Sequence, residues 1–177
     1  KPTTTPNNEI WYTSVGDNVL NLKNTNAFGS EFVSHRFENG KGIIACAGDI
    51  TEIGYEAFSG CDKMLTITIP NSVTAIGNYA FLGCNSLPAI TLPKNLTSIG
   101  SCAFSNCKAL TEVEIPQSVT TINDYAFQGC TSLTEVTIPQ SVTTFGSGVF
   151  NDCASMKTFN GKYATSDHLA LVVDGVL

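Results

Sequence analysis

Apolar positions return along this chain every 23 residues. The stretch from Phe104 to Ala126 serves as one cycle, with Phe104, Cys107, Leu110, Val113, Ile115, Val119, Ile122 and Ala126 apolar or small and polar residues between them. Leu110 is matched by Leu87 and Leu133, and Ile122 by Ile99 and Phe145. Phe58, Phe81, Phe104, Phe127 and Phe150 keep the step, as do Cys61, Cys84, Cys107, Cys130 and Cys153, and Pro70, Pro93, Pro116 and Pro139. A fixed period in the range of roughly 20–50 residues marks a solenoid, whose coils bury their apolar sides only against neighbouring coils. Most of the apolar content is therefore committed to scaffold.

Within a cycle, Leu110-x-x-Val113-x-Ile115 ends in an alternation that predicts a strand. Pro116 lacks the N–H to continue a ladder and ends it. After the second apolar pair, Gly77 and Gly100 predict a corner with positive φ. Asn123 fills that slot in the reference cycle. The segment through Ala126-Phe127 is too short for a regular helix and predicts a helical or 3₁₀ turn.

The period reaches back to Ile44 and Cys46, 23 residues before Ile67 and Ile69, so Gly42–Cys46 is expected to be the first strand of the stack, without an Ala-Phe turn of its own. Upstream, Ile10–Thr13 and Phe32–Phe37 predict strands, and Glu38-Asn39-Gly40-Lys41 a hairpin turn. The expected organisation is a flexible tether at 1–8, an N-terminal β cap at 9–41 with Trp11 as its lid, and a β-rich solenoid of about five coils at 42–161. A C-terminal flanking segment follows at 162–177. There Gly161 replaces an apolar strand residue, and Leu169–Val173 meets Asp174-Gly175 in a hairpin whose return arm stops at Leu177. So short an arm is expected of a chain cut from something longer.

The pattern Cys-x-x-Leu-x-x-Val-x-Ile-Pro-x-x-Val-x-x-Ile-x-x-x-Ala-Phe-x-x-Cys, as it stands from Cys107 to Cys130, resembles the BspA-like leucine-rich repeats, also called the Treponema pallidum type. Ile10–Ser14, Glu38–Gly42 and Gly161–Thr165 also resemble segments that flank these repeats in surface proteins of gut Bacteroides. The resemblance implies a leucine-rich-repeat solenoid, an exported or surface-anchored protein, and binding of host matrix proteins or other bacteria. It implies no catalytic residues. Phe145 for Ile, Pro88 in a strand entry and the degraded last coil depart from the pattern and bear on local regularity.

Composition narrows the partners. Nine basic residues and a net charge of −6 argue against nucleic acid and against an anionic membrane surface, both of which need clustered Lys and Arg. No stretch approaches the roughly 20 apolar residues of a membrane span. The chain begins at Lys1, which a removed export signal or a trimmed start both produce; export is the favoured reading. His35 and His168 have no partners at catalytic spacing, and no nucleophile elbow, phosphate loop or His-Glu-x-x-His occurs. The seven cysteines fall in apolar slots, without zinc spacing, and read as free buried thiols, with Cys102 the exception to burial. No cofactor and no metal are expected. Glu112, Glu114 and Glu135 lie close enough for a hard cation, yet a solvated acidic face explains them.

What remains is a row of outward strand positions: Thr66, Thr68, Ala89, Thr91, Glu112, Glu114, Glu135, Thr137, Thr158 and Asn160. Within it, Thr66, Thr68, Thr91, Glu112, Glu114, Glu135 and Thr137 are the candidate partner-binding face, for a basic or polyhydroxylated protein or glycan. The leading expectation is a non-catalytic surface interaction module. A spacer that presents a further domain, and an enzyme, are its rivals.

Overall fold

The computed structural model describes residues 5–166 and 170 and shows a stack of short strands and turns with no helix among those residues. Two strand systems run along it. One consists of two-residue strands, β4 (Glu52–Ile53), β6 (Ala75–Ile76), β8 (Ser98–Ile99), β10 (Thr121–Ile122) and β12 (Thr144–Phe145). These form one unbroken parallel sheet in which Ile53, Ile76, Ile99, Ile122 and Phe145 lie in register. The other holds the longer strands β5 (Met64–Thr68), β7 (Ala89–Thr91), β9 (Glu112–Glu114), β11 (Glu135–Ile138) and β13 (Thr158–Gly161). Only β7–β9 and β11–β13 pair there. Pro88 explains the first gap, since it has no N–H to give the preceding coil, whereas Thr111 and Lys157 each donate one to theirs. At the second gap the Thr134 N–H reaches Thr111 O at a stretched 3.5 Å.

Phenylalanine rings fill the core between the two systems. Phe58, Phe81, Phe104 and Phe127 are fully buried. From Phe58 to Phe150 the ring centroids are 5.1–5.5 Å apart and the planes lie within 12° of parallel. The backbone follows the same step, because the N–H of Phe81 donates to Ala103 O and that of Phe104 to Ala126 O, both at 2.7 Å.

The Ala-Phe segment is a chain of turns rather than the expected helical turn. Each coil has a left-handed residue two places before its Phe (Glu56, Tyr79, Cys102, Tyr125, Gly148) and another two places after (Gly60, Gly83, Asn106, Gly129, Asp152). A helix cannot propagate through either. Gly77 and Gly100 do not have positive φ. They serve close approach instead: a Cβ on Gly100 would stand 2.5 Å from the Gly77 carbonyl carbon.

The N-terminal end differs most from expectation. β1 (Glu9–Ser14), β2 (Phe32–Glu38) and β3 (Lys41–Cys46) form an antiparallel sheet in the order β2-β3-β1-β5. Strand β1 lies between β3 and β5, so Gly42–Cys46 is not the first strand of the parallel stack but belongs to the cap. Its turn, Asn39 (φ 49°) and Gly40 (φ 77°), has the two left-handed residues of a tight hairpin. Trp11 is not the lid: alternation along β1 turns Ile10 and Tyr12 into the core and Trp11 to the outside. The missing Ala-Phe turn is supplied by Ala27-Phe28, whose ring packs on Phe58 at 6.0 Å. Asn7 and Asn8 accept the N–H groups of Ile50 and Cys46, so the tether does not extend to residue 8. At the far end β13 holds register, and Phe145, Phe150, Met156, Phe159 and Tyr163 pack over the last layer. His168 and the Asp174-Gly175 hairpin lie outside the described residues.

Removal of one stacked ring should therefore be costly. Phe104→Ala is expected to destabilise by roughly 3–5 kcal/mol, and Phe150→Ala by less, because Phe150 is only half-buried. Thermal melts of the two variants check the order; equal losses would place the core elsewhere.

Candidate interaction face and thiol ladder

Alternation along β5, β7, β9 and β11 points Ile67, Ile90, Val113 and Val136 inward. The residues on either side point outward, so Thr66, Thr68, Thr91, Glu112, Glu114, Glu135 and Thr137 are all exposed. Register brings Ala89 beside Glu112 and Thr91 beside Glu114, and on the next pair Glu135 beside Thr158 and Thr137 beside Asn160. Glu112 and Glu135 fall on opposite sides of the β9–β11 gap. Among the described residues no group of three or more His, Cys, Asp or Glu is placed to hold a metal ion, and no helix is long and apolar enough to cross a membrane.

The face extends beyond the row of threonines and glutamates into the cap. Trp11 lies opposite Thr68 and Thr13 opposite Thr66, so the outer side of the cap sheet is continuous with the strand face. The Thr13 and Thr66 hydroxyls are 2.7 Å apart. The Trp11 indole N–H donates to Glu9 at 2.6 Å, and the Lys41 ammonium stands 3.7 Å from the ring centroid. Arg36 pairs with Glu9 and Glu38. The alternation Ile10-Trp11-Tyr12 was the available signal, since one strand cannot turn both Trp11 and its neighbours inward.

All seven cysteines are free thiols. In the ladder, the thiols of Cys84, Cys107, Cys130 and Cys153 each donate to the carbonyl of the Phe in the coil before, at 3.2–3.3 Å. Burial pushes Cys61 and Cys153 up to about 11, and holds Cys130 higher still. A hydrogen bond with Cys107, then burial, raises Cys84. These thiols are structural and unreactive. Cys102 is the partly exposed one, and it too is raised, by burial and then by the Asp124 carboxylate. His35 is half-buried and stands within hydrogen-bond distance of the buried Tyr12 hydroxyl, 2.6 Å from it.

These features define a β-solenoid of leucine-rich repeats, and the chain belongs to that family. The profile of the BspA type leucine rich repeat region matches residues 51–166 in six copies. Among solved structures, a leucine-rich repeat protein from Bacteroides ovatus is 34% identical with a TM-score of 0.63, over 75% of this chain and 33% of its own. A leucine rich cell surface protein from Faecalibacterium prausnitzii is 36% identical with a TM-score of 0.59, over 73% of this chain and 34% of its own. The leucine rich repeat protein of T. pallidum is 25% identical with a TM-score of 0.60, over 73% of this chain and 75% of its own. The chain thus spans about a third of the Bacteroides and Faecalibacterium proteins. A search of curated proteins returns no match.

The thiols give a direct test. At neutral pH a thiol reagent should label Cys102 first and the other six only after denaturant is added. Rapid modification of any ladder cysteine in the native protein would show that the stack opens on its own.

Proposed function

We propose that this chain is a non-catalytic interaction module of an exported or cell-surface protein. Its partner, a protein or a glycan, engages the outward face of the strands. One contrast carries the reading. Beside the spine strands, one row of polar side chains is spent on the scaffold: the hydroxyls of Thr74, Thr97, Thr120 and Thr143 donate to the carbonyl one coil back. Ser72, Ser118 and Ser141 do the same along another edge. On the strand face, Thr68, Thr91, Glu112, Glu114, Glu135 and Thr137 make no side-chain hydrogen bond or ion pair among the described residues. Exposed groups with no structural duty, side by side on a rigid scaffold, are available to a partner. The half-exposed Trp11 adds an aromatic anchor at the cap end of the same surface. The Faecalibacterium relative, described as a cell surface protein, supports the location.

A spacer that holds a further domain away from the envelope is the second reading, favoured by the longer relatives. A binding screen on protein and glycan arrays separates the two. With a partner in hand, changing Glu112, Glu114 and Glu135 to Lys together should abolish or strongly weaken binding in a salt-sensitive way. The melting temperature should move by no more than about two degrees, as for surface changes in general. Unchanged binding by the triple variant would remove the strand face as the site.

A further inference from the structure

The cap is tied together by one buried hydroxyl. Tyr12 points inward from β1, and its ring crosses β3 at Gly42, where a Cβ would lie 1.9 Å from the ring carbon that bears the hydroxyl. Only glycine at that position lets the ring pass. Beyond it the Tyr12 oxygen stands 2.6 Å from His35 Nε2 on β2, and it also accepts the Leu20 N–H at 3.1 Å. Three pieces of chain thus meet at one atom: β1, β2, and the loop of residues 15–31 that runs over the first coil. Tyr12 is 1% exposed.

The hydrogen count favours one protonation state. With Leu20 donating to the oxygen, the Tyr12 O–H proton needs an acceptor, and His35 Nε2 is the one within reach. All three groups are satisfied when His35 is neutral with its proton on Nδ1, which leaves Nε2 to accept the hydroxyl proton. A proton added at Nε2 turns that acceptor into a donor. The hydroxyl oxygen can accept a second bond, but its own proton then has no other acceptor within reach on a side chain only 1% exposed, which costs the desolvation of a buried donor. Tyr12 is the titratable group that faces His35, while β3 contributes Gly42 and Ile44 there. Cys61, in the first coil, is held up to about 11 by burial and is an uncharged thiol across the pH range of His35. Arg36, Glu38 and Glu9 lie on the opposite side of the sheet by alternation along their strands.

We propose that the cap is an acid-sensitive clamp, in which protonation of His35 releases the loop around Leu20 from the sheet. Against that loop lies a cleft of about 320 Å³, lined by Ser14, Asn18, Leu20, Asn21, Cys61 and Lys63, so the segment the clamp holds forms part of its wall. Loosening the clamp widens this cleft while the coils stay folded. The sign follows from burial, which lowers His35 below its ordinary value of 6.5. The folded cap then binds fewer protons than the opened one, so the clamp is intact above that value and fails as pH falls through the lower folded one.

Hydrogen exchange on the full chain tests this. The protection factor of the Leu20 amide should fall by about tenfold or more between pH 7.5 and pH 5, while that of Phe104 in the coils is unchanged. In His35→Gln, which carries no titrating proton, the fall should vanish. A Leu20 amide equally protected at both pH values, or the same fall in His35→Gln, would overturn the proposal. Should that variant not fold, the midpoint of the Leu20 change in the wild-type protein must coincide with the His35 titration followed by proton NMR, and a mismatch overturns it equally.

Discussion

Everything in this molecule has to repeat at one axial step. The backbone sets it, since hydrogen bonds between neighbouring coils hold them near the spacing of paired strands, about 4.8 Å. A phenylalanine repeated at that step meets its own image 5.1–5.5 Å away, nearly parallel, a stacked arrangement within the favourable range of ring separations. A bulkier residue in one coil would have to push its neighbours apart and break the hydrogen bonds on all sides. The repeated core residues follow from that constraint. The cysteines fit it as well: a thiol is small enough for its slot and gives the Phe carbonyl a second donor beside the Cys N–H of the same coil.

At the ends the constraint lapses and the chain uses other means. An antiparallel strand covers the first layer, because β1 can match β5 by backbone bonding while sending Ile10 and Tyr12 over the exposed rings. Phe28 continues the ring column but tilts by 56° against Phe58, having no coil of its own to hold it parallel. At the other end tilted contacts again replace stacking, with Phe145 against Tyr163 and Phe150 against Phe159.

The sequence was most legible where the repeat is strict. The Phe ladder, the inward strand residues, the outward row and the hairpin at Asn39-Gly40 can all be read from spacing, because each has a counterpart one period away or a turn chemistry of its own. The cap order could not be read that way. Ile44 and Cys46 match the period by residue type, yet which strand neighbours which is decided by where residues 15–31 carry the chain, and that loop has no periodic signal. The left-handed positions were hidden for another reason. Glu56, Tyr79, Cys102 and Tyr125 share a φ near +55° but no residue type, since the surrounding axial bonds, rather than side-chain preference, hold them there. Of the candidate face, the Thr and Glu row was visible; Trp11 joined it only once β1 was seen to border β5.

The two strand systems also divide the labour. The sheet of two-residue strands is continuous from Glu52 to Phe145 and has both backbone and threonine hydroxyls tying coil to coil. It acts as the rigid spine. The strand face is paired in two separate pieces, one gap made by Pro88 and the other by the long Thr134 contact. A recognition surface gains from this arrangement, because precise placement needs a stiff support, whereas the surface itself must tolerate changes of side chain. The threonines that lead into the spine strands are constrained by the bonds they make along the axis. Side chains on the strand face make no such bond to a neighbouring coil, and Thr66, Ala89, Glu112, Glu135 and Thr158 differ at one and the same step of the repeat while Thr74, Thr97, Thr120 and Thr143 do not.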